Sequence, residues 1–135
     1  MKKRILSLIG GLVAISAQAI TPLWLRDVQV SPDGANIAFC YKGDIYTVPV
    51  QGGTARQLTT QASYECNPVW SPDGKQLAFA SDRDGNFDIY VMPTQGGSAK
   101  KLTKNSVSEL PSAFTPDGHY VVFSANIQDP AQSAF

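Results

Sequence analysis

The sequence predicts an all-β protein assembled from repeated four-stranded antiparallel units. Three observations lead there: Pro-Asp-Gly turns recurring at near-constant intervals, short apolar and aromatic runs between them, and the absence of helical apolar spacing. The unit around residues 69–103 shows the pattern best. In Ser71-Pro72-Asp73-Gly74, proline presets φ at the second position of a type I turn, aspartate suits the third and glycine the fourth. Val69-Trp70 before this turn and Gln76-Leu77-Ala78-Phe79-Ala80 after it read as strands, as does Asp88-Ile89-Tyr90-Val91-Met92. The polar loop Asp82-Arg83-Asp84-Gly85-Asn86 makes the last two an antiparallel hairpin. Gln95-Gly96-Gly97 then turns the chain into Lys100-Lys101-Leu102-Thr103, the fourth strand.

The unit repeats. Asp33, Asp73 and Asp117 occupy equivalent turns, 40 and 44 residues apart. From Asp44 the second glycine pair begins 8 residues on and Leu58 lies 14 on; from Asp88 the same offsets reach Gly96 and Leu102. Leu58 to Asp73 and Leu102 to Asp117 are both 15 residues, so only the hairpin after the first turn differs in length. A rigid frame tolerates an insertion confined to one loop.

A four-stranded repeat of about 40 to 45 residues has the period of a β-propeller blade. The phrases Trp-Ser-Pro-Asp-Gly, Ala-Phe, Asp-Ile-Tyr, Gly-Gly and Leu-Thr resemble the WD-like repeat of the TolB and tricorn-type peptidase group, over residues 24 to about 124. Trp24-Leu25-Arg26 and Tyr41-Lys42-Gly43-Asp44-Ile45-Tyr46 look more like the secreted tricorn-type peptidases. The fold expected is therefore a partial β-propeller of about two and a half antiparallel blades behind an N-terminal signal helix. The blades are placed at about 27–60, 67–104 and, in part, 111–125, within a propeller segment 20–135. The third copy has Tyr120-Val121-Val122-Phe123 but no Asp-Ile-Tyr, Gly-Gly or Leu-Thr after it. Closed propellers need about four or more blades, so the expectation is an amino-terminal portion of a larger protein whose remaining blades are partners.

Residues 1–19 read as a secretory signal peptide: Lys2-Lys3-Arg4, an apolar stretch from Ile5 to Ser16, then Ala17-Gln18-Ala19 as the small-x-small cleavage pattern. The apolar run falls short of the roughly 18 residues a membrane span needs. This predicts a periplasmic or secreted protein without stable membrane insertion after cleavage. Loss of three basic residues leaves eight against eleven acids, a net charge of −3. Weak acidity argues against nucleic acid, which requires clustered Lys and Arg. Cys40 and Cys66 are compatible with a disulfide or with buried thiols.

No catalytic residue, metal site or cofactor is expected. His119, the one histidine, follows a Pro-Asp-Gly turn at the position of Ala35 and Lys75. No Gly-x-Ser-x-Gly motif accompanies it. Asp82, Asp84, Asn86 and Asp88 begin like a calcium loop, but Phe87 and Pro93 stand where an EF-hand needs glycine and an acid. Candidate binding residues lie instead where the copies differ. Alternating strands put the Pro-Asp-Gly and Gly-Gly turns on one rim and the variable loops on the other. The second rim holds Trp24, Tyr64, Glu65, Asp82, Arg83, Asn86 and Phe87. Packing of Trp24 and Tyr64 between blades is the competing account. The resemblance implies a peptide or protein ligand, as the substrate-filtering propeller of a tricorn-like serine peptidase whose catalytic domain lies elsewhere. The alternative it implies is a TolB-like interaction propeller of the cell envelope.

Overall fold

The structure, a computed structural model, describes residues 24–125; the expected signal segment lies outside the described residues. Strands β1 (Leu25–Val30), β2 (Asn36–Tyr41), β3 (Asp44–Pro49) and β4 (Arg56–Gln57) form one antiparallel sheet in sequence order. Strands β5 (Glu65–Trp70), β6 (Gln76–Ser81), β7 (Asp88–Pro93) and β8 (Lys100–Lys101) form a second, and β9 (Glu109–Phe114) with β10 (Val121–Ala125) a two-stranded third. The first strands are neighbours, β1 beside β5 and β5 beside β9, so the sheets stand side by side like blades. The described residues are all-β, as the turn chemistry and strand runs required.

Each Pro-Asp-Gly turn is built from the same bonds. The Gly34 amide donates to the Ser31 carbonyl at 2.8 Å, and the Ser31 hydroxyl and Ala35 amide donate to Asp33 Oδ1 at 2.5 and 3.0 Å. The Asn36 amide closes the strand onto Ser31 Oγ at 2.9 Å. Ser71 and Asp73 repeat this pattern, and Thr115 with Asp117 repeats it again using a threonine hydroxyl. The glycine closing each turn has φ between 69° and 72°, the left-handed region where a Cβ is penalised.

The Asp-Ile and Leu-Thr motifs form a second recurring device. Thr59 Oγ1 accepts the Ile45 amide at 2.9 Å and donates to Asp44 Oδ1 at 3.3 Å, while the Leu58 amide reaches the Ile45 carbonyl. Thr103 Oγ1 likewise accepts the Ile89 amide at 2.9 Å. A hydroxyl thus replaces the strand carbonyl that a longer outer strand would supply, which keeps a buried N–H satisfied.

Packing between sheets follows from strand alternation. The second blade presents Leu77 and Phe79 from β6, and Tyr90 and Met92 from β7, to Ala38, Cys40 and Ile45 of the first. On its other face Val69, Ala78 and Ile89 meet Phe114 and Val121 of the third. Leu77 and Phe79 are fully buried, each such side chain contributing about 1.5–3 kcal/mol. Inner strands carry a bulge in both four-stranded sheets: Arg26 pairs with Cys40 but Gln29 with Ala38, and Cys66 with Ala80 but Val69 with Ala78. Asp27 and Asn67 sit in these bulges at φ 52°, and the Asn67 amide donates to Asp27 Oδ2 at 3.1 Å. Adjacent inner strands are tied there.

Replacing Thr59 by valine removes the acceptor for the buried Ile45 amide and is expected to cost about 1–3 kcal/mol, read as a lower urea midpoint. The hydroxyl and amide bonds on Asp33, Asp73 and Asp117 hold all three carboxyls below their ordinary value of 3.8. Their stabilisation is complete above that value and is lost as pH falls through the lower folded values. The urea midpoint of the protein should therefore drop more steeply below about pH 4 than that of D33N/D73N/D117N.

Candidate functional site

The rim opposite the Pro-Asp-Gly turns is built by the starts of β1, β5 and β9, the β2–β3 and β6–β7 hairpin tips and the blade connections. β5 and β9 are pinned where they enter: the Glu65 amide donates to the Gly43 carbonyl at 2.7 Å, and the Glu109 amide to the Phe87 carbonyl at 2.8 Å. These bonds place each first strand against the preceding blade's hairpin tip. Gly43, at φ 90°, lies beneath the Tyr64 ring, which an added Cβ would approach to 3.1 Å.

Tyr64 and Phe87 come together. Their rings meet edge to face at 6.3 Å, with Tyr64 40% exposed and Phe87 half-buried. Both line a cleft of about 710 Å³ with Arg26, Asp27, Cys66, Asn67, Ser108 and Leu110. Trp24 is 60% exposed and lines an adjoining pocket of about 290 Å³ with Arg26, Lys42 and Tyr64. Tyr64 both packs at the blade junction and opens to solvent.

The polar candidates are engaged internally. Glu65 is fully buried: its Oε1 accepts the Ser63 hydroxyl at 2.5 Å, the Ser81 hydroxyl at 3.0 Å and Arg83 Nη2 at 3.2 Å. Arg83 lies over the Tyr90 ring at 4.3 Å, so one guanidinium joins the inner strand to the hairpin. Asp82 Oδ1 accepts the Tyr64 amide at 2.7 Å. Asn86 Nδ2 donates to the Asn105 and Val107 carbonyls at 3.0 and 2.9 Å, fixing the next connection. These four residues hold the loops that carry the aromatic pair. The acidic series of the hairpin diverges: Asp84 accepts the Tyr90 hydroxyl and Lys101, both at 2.7 Å, and buried Asp88 pairs with Lys101 at 2.6 Å. Bonds to Asp84 and then Asp88 raise the Lys101 ammonium well above its ordinary value. Among the described residues no group of three or more His, Cys, Asp or Glu is placed to hold a metal ion. His119 is an exposed turn residue whose Nδ1 lies 3.4 Å from Asp117 Oδ2.

Sequence reading missed Arg26, Lys42 and Asp27 as rim residues. Their signal was positional: Arg26 is level with Cys66, and Asp27 with Asn67, at the start of an inner strand.

Cys40 and Cys66 are free thiols, both buried in the cluster between the first two blades. Burial, reinforced by Asp27, pushes Cys66 up to about 12 and Cys40 further still. Thiolate chemistry is suppressed at both. The folded protein should leave both thiols unmodified by iodoacetamide at pH 8, with two labels per chain appearing only in denaturant by mass spectrometry.

A family model for the tricorn protease N-terminal beta propeller domain matches residues 22–134. A TolB homolog of Chlorobium luteolum is 34% identical over 71 residues, covering 53% of this chain and 16% of that protein. The uncharacterized peptidase YuxL of Bacillus subtilis is 32% identical over 83 residues, 53% of this chain and 13% of that one. The solved structure of a putative TolB from Agrobacterium tumefaciens superposes with a TM-score of 0.66 at 36% identity, over 75% of this chain and 38% of that chain. The chain thus spans less than two fifths of each of these relatives. Its repeated sheets, turn bonds and this match together make the chain a member of the tricorn protease N-terminal β-propeller domain family.

Proposed function

We propose that this chain is a binding module of a periplasmic or secreted protein, acting as the substrate-filtering propeller of a tricorn-like serine peptidase. Proteolysis belongs in this reading to a catalytic domain outside the segment, and the propeller's part is to engage extended polypeptide at its variable rim. The observation that carries it is the cleft of about 710 Å³ with the Tyr64–Phe87 pair at its edge, held by bonded loops. Rigid, half-exposed aromatics over a groove supply contact area at low entropic cost. The family match and the peptidase among the relatives support the peptidase parent. The Lys2–Ala19 segment supports export.

Further blades of the same parent are the proposed neighbours of the first sheet. Its free face lines an apolar groove of about 470 Å³ with Leu25, Val28, Ile37, Phe39, Tyr41 and Tyr46. The stacked Phe39–Tyr46 pair there matches Phe79–Tyr90, which the first blade covers in the second. A second reading, a TolB-like propeller that docks another envelope protein at the same rim, is favoured by the 36% identity to the Agrobacterium structure.

The test uses exported protein, whose intact mass should match cleavage after Ala19, and a fluorescein-labelled unstructured decapeptide rich in Leu and Phe. Fluorescence anisotropy should show binding, weakened about tenfold or more by Tyr64→Ala and retained by Tyr64→Phe. Absence of binding, or equal binding by Tyr64→Ala, rejects the rim as a polypeptide site.

A further inference from the structure

We propose that the pocket between Trp24 and Tyr64 holds the side-chain carboxylate of an Asp or Glu within an extended polypeptide, gripped by Arg26 and Lys42. The inference rests on the polypeptide-binding reading above and adds the chemistry of the bound residue.

Six residues line the pocket: Trp24, Arg26, Cys40, Lys42, Gly43 and Tyr64. Two are cations and none is an acid. The described residues contain ten Asp and Glu against eight Lys and Arg, so internal partners are plentiful. Yet their ion pairs are Arg83 with Glu65, Lys101 with Asp84 and Asp88, and His119 with Asp117. The carboxylates closest in sequence to the pocket residues have other tasks. Asp27 accepts the Asn67 amide, Asp44 the Thr59 hydroxyl, Asp82 the Tyr64 amide, and Glu65 is buried with Arg83. Among the described residues, two exposed cations therefore share one concavity whose six lining residues include no carboxylate, Asp27 standing behind Cys40 on the wall of the adjoining cleft.

Arg26 is placed in advance, over the Trp24 ring at 6.0 Å, while Lys42 rests 5.3 Å from the ring of Tyr41, which lines the free-face groove, and turns its stem from there into the pocket. Ring faces hold a cation without neutralising it. Lys42 and Gly43 form a two-residue hairpin tip with φ 52° and 90°, a tight turn that fixes where the lysine stem departs. A carboxylate entering between them would accept charge-assisted hydrogen bonds from guanidinium and ammonium, with Trp24 and Tyr64 flanking its methylenes. The pocket shares Arg26 and Tyr64 with the larger cleft, so an occupant continues along the rim. A continuing chain brings its negative charge on a side chain.

Three fluorescein-labelled peptides test this with the exported protein: a C-terminally amidated one with Glu between Leu and Phe, the same with Gln, and the Gln peptide ending in a free carboxylate. The Glu peptide should bind about tenfold tighter than its Gln twin, the scale of one charge-assisted bond. Added salt should erode that preference, and R26Q/K42Q should reduce the Glu-to-Gln ratio to about one. Equal binding of Glu and Gln peptides overturns the proposal, as does a preference that survives in R26Q/K42Q. A gain seen only with the free terminal carboxylate also overturns it. If all three peptides bind alike and Tyr64→Ala weakens them together, the carboxylate pocket fails while the polypeptide rim stands. If none binds, both fall.

Discussion

Every sheet in this molecule has two faces, and the structure depends on matching a bulky face to a small one. The second blade shows both halves of the rule. It turns Leu77, Phe79, Tyr90 and Met92 toward Ala38, Cys40 and Ile45, and offers Ala78 and Ile89 to Phe114 and Val121. Large-against-small packing lets side chains interdigitate at interior density, which flat sheets with similar residues on both faces cannot reach. Because strand alternation has a period of two, one unit encodes both surfaces: Leu77 and Phe79 of β6 serve the first blade and Ala78 the third. The stacking of the sheets follows from it, while the Asn67–Asp27 bond and the Glu65–Gly43 and Glu109–Phe87 bonds fix the inner strands and the rim.

Upon that packing, the two turn systems take unequal shares. Asp33, Asp73 and Asp117 perform one task in three copies, binding the same hydroxyl and amide donors, so that rim is uniform and structural. The opposite rim uses its polar residues differently in each copy. Glu65 gathers Ser63, Ser81 and Arg83, whereas Glu109, at the equivalent position, takes the Asn105 amide, and Leu25 stands there in the first copy. Variation at a rigidly anchored position lets loops change their exposed content while the frame stays fixed.

The fold was legible in the sequence because its determinants are local or periodic. Pro-Asp-Gly specifies a turn by backbone preference alone, and the short apolar run within Gln76–Ser81 marks a strand, buried on both faces in the structure, without knowledge of its neighbours. The candidate site was legible only in part. Tyr64 and Phe87 were found because apolar rings in variable loops stand out against polar surroundings. Glu65 was read with them, and its burial depends on Ser81 and Arg83, 16 and 18 residues away, whose arrival no local pattern announces. The same holds for Thr59 and Thr103, whose motif was visible as Leu-Thr but whose hydroxyls act on amides 14 residues earlier. Arg26 and Lys42 stood in phrases that carried the family resemblance, but no local pattern joined them; their common pocket arises from juxtaposition of β1 with the β2–β3 tip.

The outer strands are two residues long, Arg56–Gln57 and Lys100–Lys101, because the threonine hydroxyls satisfy the β3 and β7 amides that further pairing would have used. A foreign chain laid along such a margin would gain too few ladder bonds to offset its own ordering. The outer margins of the two four-stranded sheets are thereby closed to accretion, whereas among the described residues β10 keeps an unpaired edge on which a further strand can pair.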